Sequence, residues 1–222
     1  MRILVGLLAL LSLGAAKSVD WTKTVTRTPA GSYVIGNPAA KVRLLEFMSY
    51  TCPHCAHFAA EGTPPLMRDY VKRGSVAFEL RNAVRDPLDL AAAIATRCGA
   101  PGRFPGNHEA VFAAQTSLFE AANKFDPEPT AKDPIAGMKA LSRASGLTAL
   151  MTKRGVTPVA LDACYASKAA QAPVIAMTND AWSTRKIPGT PAFFLNGKAI
   201  ETNEWAGLEP LLRAALNLKP KA

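Results

Sequence analysis

The chain has 222 residues, 49% of them hydrophobic, and a formal net charge of +9 from 26 Lys and Arg against 17 Asp and Glu. That length suits one domain with its own core, or a domain carrying a large insertion, and the composition excludes a disordered tract. The basic residues are scattered (Lys23, Arg27, Lys41, Arg43, Lys72-Arg73, Lys153-Arg154, Arg185-Lys186) rather than clustered or interleaved with aromatics, which argues against nucleic-acid binding. The positive balance fits solubility, or weak attraction to an anionic membrane surface or an unfolded client.

Residues 1–16 read as a signal peptide. Arg2 is a short positive start, Ile3 to Leu13 is an uncharged apolar run, and Gly14-Ala15-Ala16 is a small-residue cleavage site. The run is too short for an ordinary membrane span. An exported, soluble mature protein is expected, with an uncleaved anchor as the alternative.

After a loosely alternating stretch from Val19 to Arg27, Gly31 to Ile35 predicts a short strand. Lys41 to Phe47 is a second, whose consecutive apolar residues predict burial on both faces, as in a central parallel strand. Glu46 interrupts it, either as an exposed edge residue or as a buried acid. The strand leads into Cys52-Pro53-His54-Cys55 and the start of a helix. A cysteine there faces unsatisfied backbone N–H groups and the positive end of the helix dipole, which favour thiolate. Pro53 suits the first helical position. His54 can add a cationic or hydrogen-bonding partner to Cys52. Cys55, one turn deeper, can attack a mixed disulfide formed at Cys52. These residues propose a dithiol redox centre, although zinc sites use the same spacing.

Gly62 and Pro64-Pro65 predict a helix ending near Ala60 and a second ending near Gly74. Ser75 to Ala83 alternates as a strand. From Asp86 to about Lys186 the strand signals vanish, and helices are predicted over Pro87–Cys98, Pro105–Ala122, Ile135–Gly146, Thr157–Ala166 and Ala169–Lys186. Thr190-Pro191 then precedes Ala192–Leu195, an Asn196-Gly197 turn and Lys198–Ile200, a strong hairpin signal. A last helix has Pro210 near its first turn and Leu211, Leu212 and Leu216 facing inward.

This layout resembles the thioredoxin fold, and specifically the DsbA-type thiol–disulfide oxidoreductases exported by bacteria. The resemblance rests on Leu45-Glu46-Phe47…Cys52-Pro53-His54-Cys55 and on Gly189-Thr190-Pro191-Ala192-Phe193-Phe194-Leu195-Asn196-Gly197, and it covers essentially the whole mature chain. It implies an α/β thioredoxin fold, residues 17–84 and 187–222, with an all-helical domain, residues 85–186, inserted between its β-α-β and β-β-α halves. It also implies that Cys52 is the exposed nucleophile, Cys55 the resolving thiol and Glu46 a buried acid that accepts a proton from Cys55. Thr190-Pro191 matches a cis-proline loop against the cysteines, where the Thr190 backbone can pair with an extended client.

The implied function is disulfide introduction into secreted or periplasmic clients, without a cofactor or bound metal, as a monomer. Reoxidation would fall to a membrane quinone-linked partner of the DsbB kind. Thr190 also resembles what isomerases and reductases of the superfamily carry, where many oxidases have Val. Such isomerases usually add a dimerisation domain, for which this sequence has no room. A non-enzymatic holdase or metal-binding protein is the alternative from another class.

Cys98 and Cys164 both fall in the helical block, and export favours a structural disulfide between them over two inert buried thiols. His57 is expected to be a partly exposed helix residue rather than a ligand joining Cys52, Cys55 and His54 at a metal. His108 is expected on the surface. Phe112, Phe119, Phe193 and Phe194 are expected in the core, and Trp21, Trp182 and Trp205 are expected to pack. Phe58 belongs either to the core or to a client groove.

Overall fold

The computed structural model of the protein describes residues 19–128 and 132–219, so the expected signal peptide lies outside the described residues. Six strands form one mixed sheet in the order β1-β2-β4-β3-β5-β6. They are β1 (Val25–Arg27), β2 (Tyr33–Ile35), β3 (Val42–Met48), β4 (Val76–Asn82), β5 (Ala192–Leu195) and β6 (Lys198–Ile200). Only β3 and β4 are parallel, joined through α1 (Pro53–Glu61) and α2 (Thr63–Leu66). A parallel pair needs such a crossover, which lifts the chain over one sheet face.

Between α1 and α2 the chain stays helical at Gly62, and a Cβ there would lie 2.4 Å from the Phe58 ring. Pro64 and Pro65 then occupy the first turn of α2, where no backbone N–H is needed. The hairpin at the other end forms as read. Asn196 and Gly197 take φ of 49° and 83°, the left-handed pair that a tight turn between β5 and β6 requires.

The insertion leaves after β4 and returns before β5. It contains α3 (Pro87–Thr96), α4 (Phe104–Ala113), α5 (Gln115–Ala122), α6 (Pro134–Ala144), α7 (Leu147–Lys153), α8 (Pro158–Ala166) and α9 (Lys168–Asn179). Two departures from the sequence reading fall here. The single helix expected over Pro105–Ala122 is broken at Ala114, and α7 was not foreseen because Gly146, at φ 84°, starts it without a polar cap. Cys98 and Cys164 are bonded, tying the end of α3 to α8 across 66 residues, which stabilises by about 4 kcal/mol in the chain-entropy model.

One apolar cluster runs from Leu44, Phe78 and Leu80 in the sheet through Phe58 to Ile94, Phe104, Leu147 and Tyr165 in the insertion. A smaller one on the opposite sheet face holds Leu45, Phe47, Ile187 and Phe194. Both faces of β4 are therefore covered, which simple alternation did not convey: Glu79 is buried too, accepting from Ser32 Oγ at 2.7 Å and Arg81 Nε at 2.8 Å. The closing helix α10 (Trp205–Ala215) buries Leu208 and Leu212. Leu211 turns outward and Pro210 lies in its second turn, because the helix begins at Trp205, earlier than expected.

Candidate active site

β3 ends at Met48, and the tight loop Ser49-Tyr50-Thr51 delivers Cys52 to the N-cap of α1 with extended backbone, φ −88° and ψ 120°. Pro53 takes the first helical position. Cys52 and Cys55 are both free thiols and both buried: Cys52, expected to be exposed, is only 3% so, because its sulfur lies against the Thr190 carbonyl. The Cys52 Sγ donates to the carbonyl of Thr190 at 3.0 Å, and the Thr190-Pro191 bond is cis. Two segments 138 residues apart thus meet at one sulfur.

The two thiols are electrostatically unlike. Cys52 is drawn down to about 4, chiefly by the hydrogen bond from Cys55, which outweighs burial, and further by Thr190 and the backbone N–H groups of Cys55 and His54. The Thr190 hydroxyl is buried without a hydrogen-bond partner while Cys52 is a thiol, so it is free to serve the thiolate. Cys55 moves the other way: burial, then its bond to Cys52 and the charge of Glu46, push it well above the ordinary thiol range. Its sulfur accepts the Ser49 N–H at 3.5 Å.

Glu46 stands in the middle of the sheet, in register with Leu80 on β4 and Phe193 on β5. It is 3% exposed, and burial followed by the negative charge of Cys52 raises it to about 8. A carboxyl with that affinity can hold or release a proton near neutral pH.

His54 acts on Cys52 through its backbone N–H, while its exposed side chain joins the rim of a cleft of about 550 Å³ with Lys186, Pro188, Thr190, Pro191 and Phe194. His57 is exposed and ion-pairs with Glu61 at 3.4 Å, one turn along α1. Among the described residues, no three His, Cys, Asp or Glu side chains come together as a metal site.

Other expectations need correction. His108 is buried, not on the surface: it meets Tyr50 Oη at 3.1 Å, and burial lowers it to about 3, so it is neutral. Phe119 is 45% exposed because the break at Ala114 rotates α5 relative to α4, whereas Phe112, Phe193 and Phe194 are buried. Phe58 belongs to the core, with its ring 4.6 Å from that of Phe193.

Sequence reasoning missed a shell of the insertion around the loop. Asp89 Oδ1 accepts the Tyr50 N–H at 2.7 Å, Asp86 takes the Thr51 hydroxyl, and Gln115 Nε2 donates to the carbonyls of Tyr50 at 2.8 Å and Cys52 at 3.0 Å. Asp86 alone left a signal, as an Asp before Pro87 at a helix start.

Residues 28–214 match the family model described as Thioredoxin. A protein-disulfide isomerase structure from Novosphingobium aromaticivorans is 35% identical, with a TM-score of 0.77, covering 84% of this chain and 97% of that one. BdbD from Bacillus subtilis (20% identity, TM-score 0.60, 90% and 98% covered) and alpha-DsbA1 from Wolbachia pipientis (19%, 0.60, 83% and 90%) share the fold. A Rickettsia prowazekii (strain Madrid E) relative, named as a candidate protein-disulfide oxidoreductase, is 27% identical over 90% of this chain. The chain spans 67% of that relative's length and 62% of a Rickettsia bellii relative's. By its match to the family model over residues 28–214, this chain belongs to the thioredoxin family, and it shares its fold with DsbA-like proteins.

Proposed function

We propose that the protein is an exported thiol–disulfide oxidase that introduces disulfide bonds into secreted or periplasmic clients through a Cys52–Cys55 disulfide. The observation that carries this reading is the asymmetry of the pair: a thiolate stabilised at the end of α1 and a partner thiol held protonated. Whatever stabilises the Cys52 thiolate stabilises the reduced protein, and so makes its disulfide a stronger oxidant. The handover is thiol exchange.

In the first step a client thiolate attacks Cys52 Sγ. The client–Cys52 bond forms, the Cys52–Cys55 bond breaks, and the Cys55 sulfur leaves as a thiolate that takes a proton, for which Glu46 is the buried donor. In the second, another client thiolate attacks the client sulfur of the mixed disulfide. The client disulfide forms, Cys52 leaves as its thiolate, and the pair of electrons has moved from client to enzyme. Glu46 recovers its proton from water. The cleft beside Thr190-Pro191 is open on its Lys186 and Pro188 side, which suits an extended client strand pairing with the Thr190 backbone. Reoxidation of the dithiol falls to a membrane quinone-linked partner.

A second reading, isomerase or reductase, is favoured by Thr190 and by the name of the Novosphingobium relative. The two are separated by offering the oxidised protein a reduced client with one cysteine pair, and the reduced protein a client with scrambled disulfides. The oxidase reading predicts stoichiometric oxidation of the first, abolished in Cys52→Ser, and little reshuffling of the second. Rapid reshuffling with poor oxidation would replace it by the isomerase reading.

A further inference from the structure

We infer that Gln115 and Asp89, both in the helical insertion, are positioning residues that fix Cys52 at the start of α1 by gripping the backbone of residues 50–52. The inference rests on the reading of Cys52 as the attacking and leaving sulfur.

The loop Tyr50-Thr51-Cys52 has few partners within the thioredoxin unit: the Cys52 N–H reaches Ser49 O at 3.2 Å, and Cys52 O accepts the first helical bond from Ala56. Ser49 Oγ also accepts the Thr51 N–H at 3.3 Å and lies 3.2 Å from the Thr51 hydroxyl, while the Tyr50 N–H and the carbonyls of Tyr50 and Cys52 are met from outside. Gln115 is the first residue of α5, and its single amide nitrogen spans the two carbonyls of Tyr50 and Cys52. That reach is created by the break at Ala114, where ψ swings to 3°. Asp89 is fully buried on α3 and accepts the Tyr50 N–H with one oxygen and the Arg85 N–H, at 3.0 Å, with the other. Asp89 N–H is itself held by Asp86, the cap of α3, whose second oxygen takes the Thr51 hydroxyl. Tyr50 is anchored at its far end as well, by Thr96 and His108.

A donor and an acceptor therefore clasp successive peptide groups, leaving Cys52 little freedom to drift from the Thr190 carbonyl or from the N–H groups of His54 and Cys55. A thiolate solvated by directed N–H groups is sensitive to such drift, because hydrogen bonds weaken steeply with misalignment. The insertion thus acts on the chemistry through the backbone, without touching a sulfur.

The test compares wild type with Gln115→Met, Gln115→Glu and Asp89→Asn for the equilibrium of the Cys52–Cys55 disulfide with glutathione, beside the thermal stability of each form. A role limited to holding the fold shifts the oxidised and reduced forms alike and leaves that equilibrium constant where it was. Positioning moves it. Gln115→Met removes both donors at a half-exposed site and should make the pair about three- to tenfold less oxidising, the span of a lost hydrogen bond. Gln115→Glu keeps the length but sets acceptor oxygens against the same two carbonyls, so it should shift the constant the same way. Asp89→Asn sets an amide against an N–H and should follow. A wild-type constant in Gln115→Met and Gln115→Glu overturns the inference alone. A wild-type Cys52 that alkylates no faster than an ordinary thiol overturns the oxidase reading beneath it.

Discussion

The protein carries two cysteine pairs in two unlike settings, and each setting explains its pair. Cys98 and Cys164 join the end of one helix to the middle of another inside the insertion, with Cα atoms 6.0 Å apart and Cys98 buried. Cys98 is buried and Cys164 partly so, and neither sits at the start of a helix. Cys52 and Cys55 are placed three residues apart across a helix start, and every feature around them separates the two. Directed N–H groups and the Thr190 hydroxyl serve Cys52, while Cys55 lies over a buried acid. A pair away from any helix start makes a disulfide that stays. A pair set across one makes a disulfide that is passed on.

The difference should show first in pH dependence. Cys52 ionises near 4 in the folded, reduced protein against 9.0 for a free thiol, so its contribution is complete above pH 9 and is lost as pH falls through 4. The oxidised form has no such group. Glu46 runs the other way in the reduced protein, from 4.5 up to about 8: its contribution is full below 4.5 and lost as pH rises through 8, and the part due to the Cys52 charge is absent from the oxidised form. Calorimetry of the two forms should therefore find the reduced protein's melting advantage growing from pH 4 to pH 9. A constant gap would put the thiolate's stabilisation elsewhere.

Removing the other pair, as Cys98→Ala with Cys164→Ala, should lower stability by about 4 kcal/mol in urea unfolding, and leave the Cys52–Cys55 equilibrium within twofold. A large change in that equilibrium would join the two settings that are argued apart above.

Smaller effects test the asymmetry piece by piece. Glu46→Gln should slow formation of the mixed disulfide, the step in which the departing Cys55 thiolate takes its proton, roughly hundredfold, and flatten the pH profile of that step, read by quenched-flow trapping. Thr190→Val removes a buried hydroxyl that serves the thiolate and should raise the Cys52 titration while making the pair about three- to tenfold less oxidising.

The same contrast describes what the sequence made legible. The Cys-x-x-Cys after a strand, the Asn-Gly turn and Pro53 at a helix start are local chemistry, written in consecutive residues, and the structure keeps them where they were read. Even Glu46 announces itself as an acid in an apolar strand. What was not legible depends on where helices lie relative to one another. The break at Ala114 has no Gly or Pro to mark it, yet it turns Phe119 outward and brings Gln115 over the active-site loop. His108 looks like any surface histidine until Tyr50 is placed against it from 58 residues away. A side chain that works through someone else's backbone carbonyl leaves no pattern in its own segment.

The central claim is that the Cys52–Cys55 pair is built to give its disulfide away. Its most direct test is the equilibrium of that pair in graded glutathione buffers, with Cys98–Cys164 followed separately by mass spectrometry of trapped thiols. The account predicts a potential well above that of glutathione for the first pair, while the second stays oxidised throughout. A first pair poised near thioredoxin's potential, about −270 mV, would contradict it and leave a reductase in its place.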